Sequence, residues 1–224
     1  MTDKTVALLP LKAHSERVPR KNFRSIAGKP LVKWVLDVLL SLDRIEKVVI
    51  NTDARSELED VGVVTSARVL IRDRIQSLRG DFVSMNRIIE DDLNNVDADH
   101  YLMTHTTNPL LSVGTIDSAI TAYLDGLPGL DSLFSVNKFQ SRFYSKDGLP
   151  INHDPGDLVR TQDLEPWYEE NSCLYIFSRS SFHDTKARIG RRPGLFETPK
   201  LESVDIDEPE DWDFAETLLK LRQN

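Results

Sequence analysis

Lys12, Arg17, Arg20 and Lys21 crowd into one short stretch, LKAHSERVPRKN (11–22), just after the first apolar run. Such a loop can neutralise a polyphosphate with its side chains and cradle one with its backbone N–H groups. Charge alone equally suits a solvated surface. The P-loop pattern GxxxxGK[ST] is absent, and so is the GxGxxG dinucleotide fingerprint. The loop runs against the average of the chain, where 28 Lys+Arg against 36 Asp+Glu give a net charge of −8. That balance excludes a general nucleic-acid-binding surface, which needs a basic face.

A second candidate lies near the other end. Asp205 and Asp207 flank Ile206 in SVDIDEP. In a strand, both carboxylates lie on one face, and two hard oxygen donors beside a polyphosphate suit Mg²⁺. Alternatively, they cap the helix that follows. The single Cys173 excludes an intramolecular disulfide and a Cys-based zinc site.

These residues need elements to position them. Apolar patterning predicts strands over 6–11, 47–52, 68–72, 101–105, 132–136, 173–177 and 201–206, and helices over 31–42, 82–94, 115–124 and 209–221. Pro30 suits a helix start. The last helix has Glu210 and Asp211 early and Lys220 and Arg222 late, matching the helix dipole. Alternation of strands and helices implies βαβ units and a mainly parallel sheet. The first loop then leaves the carboxyl end of its strand, where open α/β sheets bind ligands. Residues 137–170 break the pattern: they are rich in Gly, Pro, Asp and aromatics without a helical period. They form either an inserted lobe or a long surface loop. No leader-like h-region precedes residue 6 and no run reaches the ~20 apolar residues of a membrane span, so the expectation is one soluble, cytoplasmic domain over 1–224.

PLKAHSERVPRKNFRSIAGKPL (10–31) resembles the nucleotide-binding signature of the acylneuraminate cytidylyltransferases, the CMP-sialic acid synthetase family, approximately P-A-R-G-G-S-K-R-x-P-x-K-N-x-x-x-x-x-G-K-P-L. Pro10, Ser15, Arg17, Pro19, Lys21, Asn22, Gly28, Lys29, Pro30 and Leu31 fall in place. Lys12 stands where the family has Arg, and Ala13-His14 where it has Gly-Gly. Further segments resemble the family in order along nearly the whole chain. VINTDA (49–54) is similar to its second strand. IRDRIQSLRGDFVS (71–84) is similar to R-P-x-x-L-A-x-D-x-x-S. MTHTTNPL (103–110) is similar to L-Q-P-T-S-P-L, with His105 for Gln. VRTQDLEPWYEENSCLYIF (159–177) is similar to R-x-R-Q-D-L-x-x-x-Y-x-E-N-G-A-I-Y-I, and ESVDIDEPEDW (202–212) to S-x-D-I-D-T-x-E-D.

The resemblance implies a Rossmann-like, mainly parallel sheet flanked by helices, of the nucleotide-diphospho-sugar transferase type, with a small dimerisation lobe at about 137–170. It implies a cytidylyltransferase joining CTP to a 2-keto-3-deoxy sugar acid, with release of pyrophosphate. Leu11, Lys12, Ser15, Lys21, Asn22, Arg72, Leu78, Gly80, Asp81 and Ser84 would bind the nucleotide. Lys12, Arg17 and Lys21 would offset charge on the pyrophosphate. His105, Thr107, Arg160, Gln162, Tyr168, Glu170 and Asn171 would meet the sugar acid, and Asp205 and Asp207 would hold Mg²⁺. The expected partners are CTP, a sugar acid and a second copy of the chain, without nucleic acid or membrane. Two alternatives stay open: a nucleotidyltransferase for another sugar, and a non-catalytic sensor of nucleotide or CMP-sugar.

Overall fold

In the computed structural model, which describes residues 4–223, the first apolar run forms β1 (Thr5–Leu8), buried along its whole length. Its side chains alternate between two cores, as strand geometry requires. Ala7 and Leu9 enter one core, and Val6 and Leu8 the other. Backbone pairing runs past the strand's formal end, with Leu9 N–H donating to the Val49 carbonyl at 2.8 Å and Leu11 N–H to that of Asn51 at 3.2 Å.

From β1 the chain passes through α1 (Leu31–Ser41), β4 (Ile45–Thr52), α2 (Arg55–Asp60) and β5 (Val69–Asp73). A small hairpin, β2 (Ser25–Ile26) with β3 (Lys29–Pro30), precedes α1. The chain then crosses through α3 (Met85–Asn95) to β6 (His100–Thr104) on the other side of β1. α4 (Val113–Gly126), β7 (Ser132–Phe139), β8 (Trp167–Ser178), α5 (Arg179–Thr185), β9 (Pro193–Glu197) and α6 (Pro209–Gln223) complete it. The seven strands lie in the order β5-β4-β1-β6-β8-β7-β9. β5, β4, β1 and β6 are mutually parallel, β8 is antiparallel to both neighbours, and β9 pairs parallel with β7.

α1, α2 and α4 cover one face of the sheet. α3 and α5 cover the other, against Tyr101, Met103, Tyr175 and Phe177. The order reverses between β1 and β6, so their exit loops diverge and leave a crevice at the carboxyl ends of the strands. A third core, formed by Val18, Ile26, Leu31, Leu110, Ile206, Trp212 and Leu219, packs α6 against the first loop.

Several expectations are corrected. Residues 201–206 form no strand among the described residues. They cross the end of β6 instead, with Ile206 N–H donating to the Thr107 carbonyl at 2.9 Å. The one-face argument for Asp205 and Asp207 therefore lapses. α3 starts at Met85 because 79–84 is committed to a turn with Gly80 at φ +103°. α2, α5 and β9 are short or only half-buried, and their patterns were too brief to read. Residues 137–170 comprise the outer ends of β7 and β8 with an irregular segment between, where Phe143 stacks on Trp167 at 5.3 Å between centroids.

α6 allows a paired test. Trp212 is buried in the third core, whereas Leu221 is 67% exposed. Trp212→Ala should cost about 3–5 kcal/mol in urea unfolding, and Leu221→Ala no more than about 0.5 kcal/mol.

Candidate active site

The first loop is fixed by a side chain of its own and by side chains that follow β4 and β6. Asn22 Nδ2 donates to the Lys12 carbonyl at 2.9 Å, and Asn22 Oδ1 accepts from Thr106 Oγ1 at 2.6 Å. Ala13 N–H donates to Asp53 Oδ1 at 2.8 Å. Arg20 takes the left-handed conformation, φ 54°, and turns the chain into a single 3₁₀ turn over Lys21–Phe23. That turn buries Lys21. Its ammonium donates to the Ile206 carbonyl and lies 3.4 Å from Asp207 Oδ1. Arg17 reaches Asp207 Oδ2 at 3.1 Å and Glu208 Oε1 at 2.9 Å.

The loop walls a cleft of about 340 Å³ in the crevice between β1 and β6. Leu11, Lys12, Ser15, Arg17, Lys21 and Asn22 line it from the first loop, His105 and Thr107 from the exit of β6, Asp207 from the approach to α6, and Gly80 and Asp81 from the turn before α3. Lys12 forms an ion pair with Asp81.

Other expected residues lie elsewhere. Leu78 is buried behind the Gly80 turn and Ser84 precedes α3; neither lines the cleft. Arg72 is also outside it, because Asp91 at 3.0 Å and Asp92 engage its guanidinium. Arg74 takes the expected place in the wall. It is buried, donating through Nη2 to the carbonyls of Leu11 at 3.0 Å and Asn51 at 2.7 Å, and through Nε to Asn51 Oδ1 at 3.0 Å. The sequence held the signal: once Leu78 is set on the Leu of R-P-x-x-L-A-x-D-x-x-S, the Arg falls at 74. Met85, Ile88 and Thr106 also line the cleft. They were missed because each reads as ordinary helix or strand-end sequence.

The residues expected at the sugar divide. Asn171 is buried, donating to Asn137 Oδ1 at 3.0 Å and Thr198 Oγ1 at 2.7 Å, so within one chain it secures β8. Glu170 accepts from Tyr175 Oη and pairs with Arg188 at 3.3 Å. Arg160, Gln162 and Tyr168 are exposed on the β7–β8 arm and do not line the cleft of their own chain.

The two aspartates are not equivalent. Asp207 opens on the cleft. Asp205 faces inward, where burial raises its pKa and a hydrogen bond to Thr107 partly opposes the rise. Its Oδ1 is buried without a hydrogen-bond partner. Capping of α6 falls to neither: Asp211 Oδ2 accepts from the N–H groups of Asp207 at 3.0 Å and Glu208 at 2.7 Å. No group of three His, Cys, Asp or Glu side chains among the described residues is arranged around a metal position. Two carboxylates, one with a buried unpartnered oxygen, are nonetheless a donor set that a hard cation fits.

His105 is held neutral. Burial pushes its pKa down to about 4, helped by the positive charges of Arg188 and Lys21 and opposed by Asp207.

Residues 6–224 match the family model described as Cytidylyltransferase. Among curated proteins, the chain is 29% identical to a CMP-N,N'-diacetyllegionaminic acid synthase of Legionella pneumophila and 23% identical to a pseudaminic acid cytidylyltransferase of Campylobacter jejuni. Each match covers 97% of both chains. It is also 29% identical to an N-acylneuraminate cytidylyltransferase of Oncorhynchus mykiss, over 94% of this chain and 49% of that one. Among solved structures, the fold is shared with a CMP:2-keto-3-deoxy-manno-octonic acid synthetase complexed with CTP, at TM-score 0.68 and 16% identity over 98% and 99% of the two chains. A 4-diphosphocytidyl-2C-methyl-D-erythritol synthase of Anaerococcus prevotii gives TM-score 0.70 at 11% identity, over 97% and 96%.

The depressed His105 pKa fixes a pH dependence. An unfolded histidine takes up a proton near 6.5 and the folded one only near 4, so the unfolded state binds more protons between those values. Stability is therefore lost as pH falls through that window. His105→Gln should lessen the loss between pH 7 and pH 5 by roughly 1–2 kcal/mol in urea unfolding. Equal slopes in the two proteins would place His105 in ordinary solvent.

Proposed function

Because the chain belongs to the cytidylyltransferase family, we propose that it joins the cytidylyl group of CTP to the anomeric hydroxyl of a 2-keto-3-deoxy sugar acid. The hydroxyl oxygen attacks the α-phosphorus in line and gives up its proton to water, the bond to the bridging oxygen breaks, and pyrophosphate leaves. The observation that carries this reading is the cation-walled cleft at the β1–β6 crevice, with Lys12, Arg17 and Lys21 on one loop.

The chain's own groups have positioning and electrostatic roles. Lys12, Arg17 and Lys21 face the phosphates and offset charge on the leaving pyrophosphate. Ser15 and the loop N–H groups add donors. Asn22 holds the loop to β6 through Thr106. The backbone around Gly80 and Asp81 offers the donors and acceptor that cytosine needs, and Arg74 ties the adjoining ends of β1 and β4 together through the Leu11 and Asn51 carbonyls. Neutral His105 and Thr107 lie on the side where the sugar enters. Asp205 and Asp207 would hold Mg²⁺, which supplies charge neutralisation at phosphate oxygens when bound.

The reading includes a homodimer. Trp167 and Tyr168 on the β7–β8 arm are 42% and 46% exposed, aromatics of the kind enriched at interfaces. A neighbouring copy would bring Arg160, Gln162 and Tyr168 to a cleft that their own chain does not let them reach.

Incubation with nucleoside triphosphates, Mg²⁺ and a panel of nonulosonic and octulosonic acids, read by mass spectrometry, tests the function. CTP with at least one acid should give a CMP-sugar, and ATP and GTP should give little, because a purine leaves the wall's polar groups unpaired. Comparable products from all nucleotides would defeat the reading of the base site. Asp207→Asn tests the metal. Its pair with Arg17 is exposed, but its pair with Lys21 balances a buried ammonium, so unfolding stability should fall by about 1–3 kcal/mol, and turnover is compared per folded molecule. Turnover should fall steeply or require more Mg²⁺. An unchanged Mg²⁺ dependence in both Asp205→Asn and Asp207→Asn would remove the metal assignment.

A further inference from the structure

In a 2-keto-3-deoxy sugar acid the carboxylate sits on the same carbon as the attacking hydroxyl. Its counter-cation must therefore stand close to the phosphate cleft. Arg160 does not do so within its own chain: it is exposed, and its guanidinium is held by Asp163 at 2.7 and 3.0 Å. The guanidinium of Arg188 lies one step behind the lining residues Met85 and His105. Arg188 follows α5, and its backbone N–H donates to Asn86 Oδ1 at 3.3 Å, beside the cleft-lining Met85. Its side chain is 19% exposed and lies across the ring of Tyr175, 3.7 Å from the centroid. Nη1 reaches Met103 Sδ at 3.6 Å; Nη2 donates to Tyr175 Oη at 2.8 Å and Glu170 Oε1 at 3.3 Å. Among charged groups Arg188 acts most strongly on His105, which lines the cleft.

We propose that Arg188 binds the carboxylate of the sugar acid, with Tyr175 and Glu170 fixing the plane of its guanidinium. The assignment rests on the function proposed above. A planar fork with five N–H donors suits a carboxylate. The ring of Tyr175 keeps the fork from swinging out to solvent, while a sulfur and two oxygens leave it donors to spare. Glu170 balances the charge when no substrate is bound, and its half-exposed carboxylate can turn to a sugar hydroxyl when one is.

The test compares a sugar acid accepted by the wild-type protein with its carboxamide, as the ratio of kcat/KM at saturating CTP. That ratio does not depend on how much of a variant folds. Wild type should favour the acid by about 10- to 100-fold, the effect of a charge-assisted hydrogen bond. Arg188→Gln should bring the ratio to within about threefold of unity, chiefly through KM for the acid, with KM for CTP unchanged. Arg188→Lys should retain an intermediate preference. The proposal is overturned if Arg188→Gln keeps the wild-type ratio, if it weakens acid and carboxamide alike, or if Arg160→Gln is the variant that loses the preference. If wild type makes no CMP-sugar from any keto-sugar acid, the proposed function itself fails, and this assignment with it.

Discussion

The ammonium of Lys21 is buried, and a buried charge must be paired and hydrogen-bonded. Its partners, the Ile206 carbonyl and Asp207, stand at the entry to α6. This contact fixes where the last helix meets the first loop, and the third core of Val18, Ile26, Trp212 and Leu219 closes around the same junction. The neighbouring Asn22 ties the loop the other way, to Thr106 beyond β6. One dipeptide thus joins the loop after β1, the exit of β6 and the approach to α6, which are three of the segments that bound the cleft.

The basic loop of an acidic chain is reconciled by the same geometry. Lys12 is paired with Asp81, and Arg17 with Asp207 and Glu208. The acids keep like charges from repelling one another across a narrow cleft. Exposed ion pairs of this kind are worth about 0–1 kcal/mol each, so an incoming polyphosphate can take over the cations at small cost.

Much of this was legible in the sequence. Short, nearly continuous apolar runs marked β1, β4, β6 and β8, because buried strands of a mainly parallel sheet leave little room for polar side chains. The order of Ser15, Arg17, Lys21 and Asn22 marked the loop. What escaped notice did so for identifiable reasons. Two arginines two residues apart, Arg72 and Arg74, both fit a strand end, and only the count back from Leu78 separates them. Residues 201–206 look like a strand because Leu201, Val204 and Ile206 are apolar. Yet Val204 and Ile206 serve the junction with α6 and the loop after β6, and no neighbouring strand offers a ladder. Arg188 carries no local signature at all. Its place is set by tertiary contacts with β6, β8 and α3.

The Lys21–Asp207 contact also bears on the order of events during synthesis. The two residues are 186 positions apart, and at ~5–20 residues per second the first waits roughly 10–40 s on the ribosome for the second. β1, β4, β5 and β6 can pair in that interval, but the cleft lacks its Asp207 lining until the approach to α6 docks. A nascent chain can therefore hold most of its sheet while remaining blind to nucleotide. Ligand capture follows the docking of the approach to α6, and is open only to chains in which that segment has found its place.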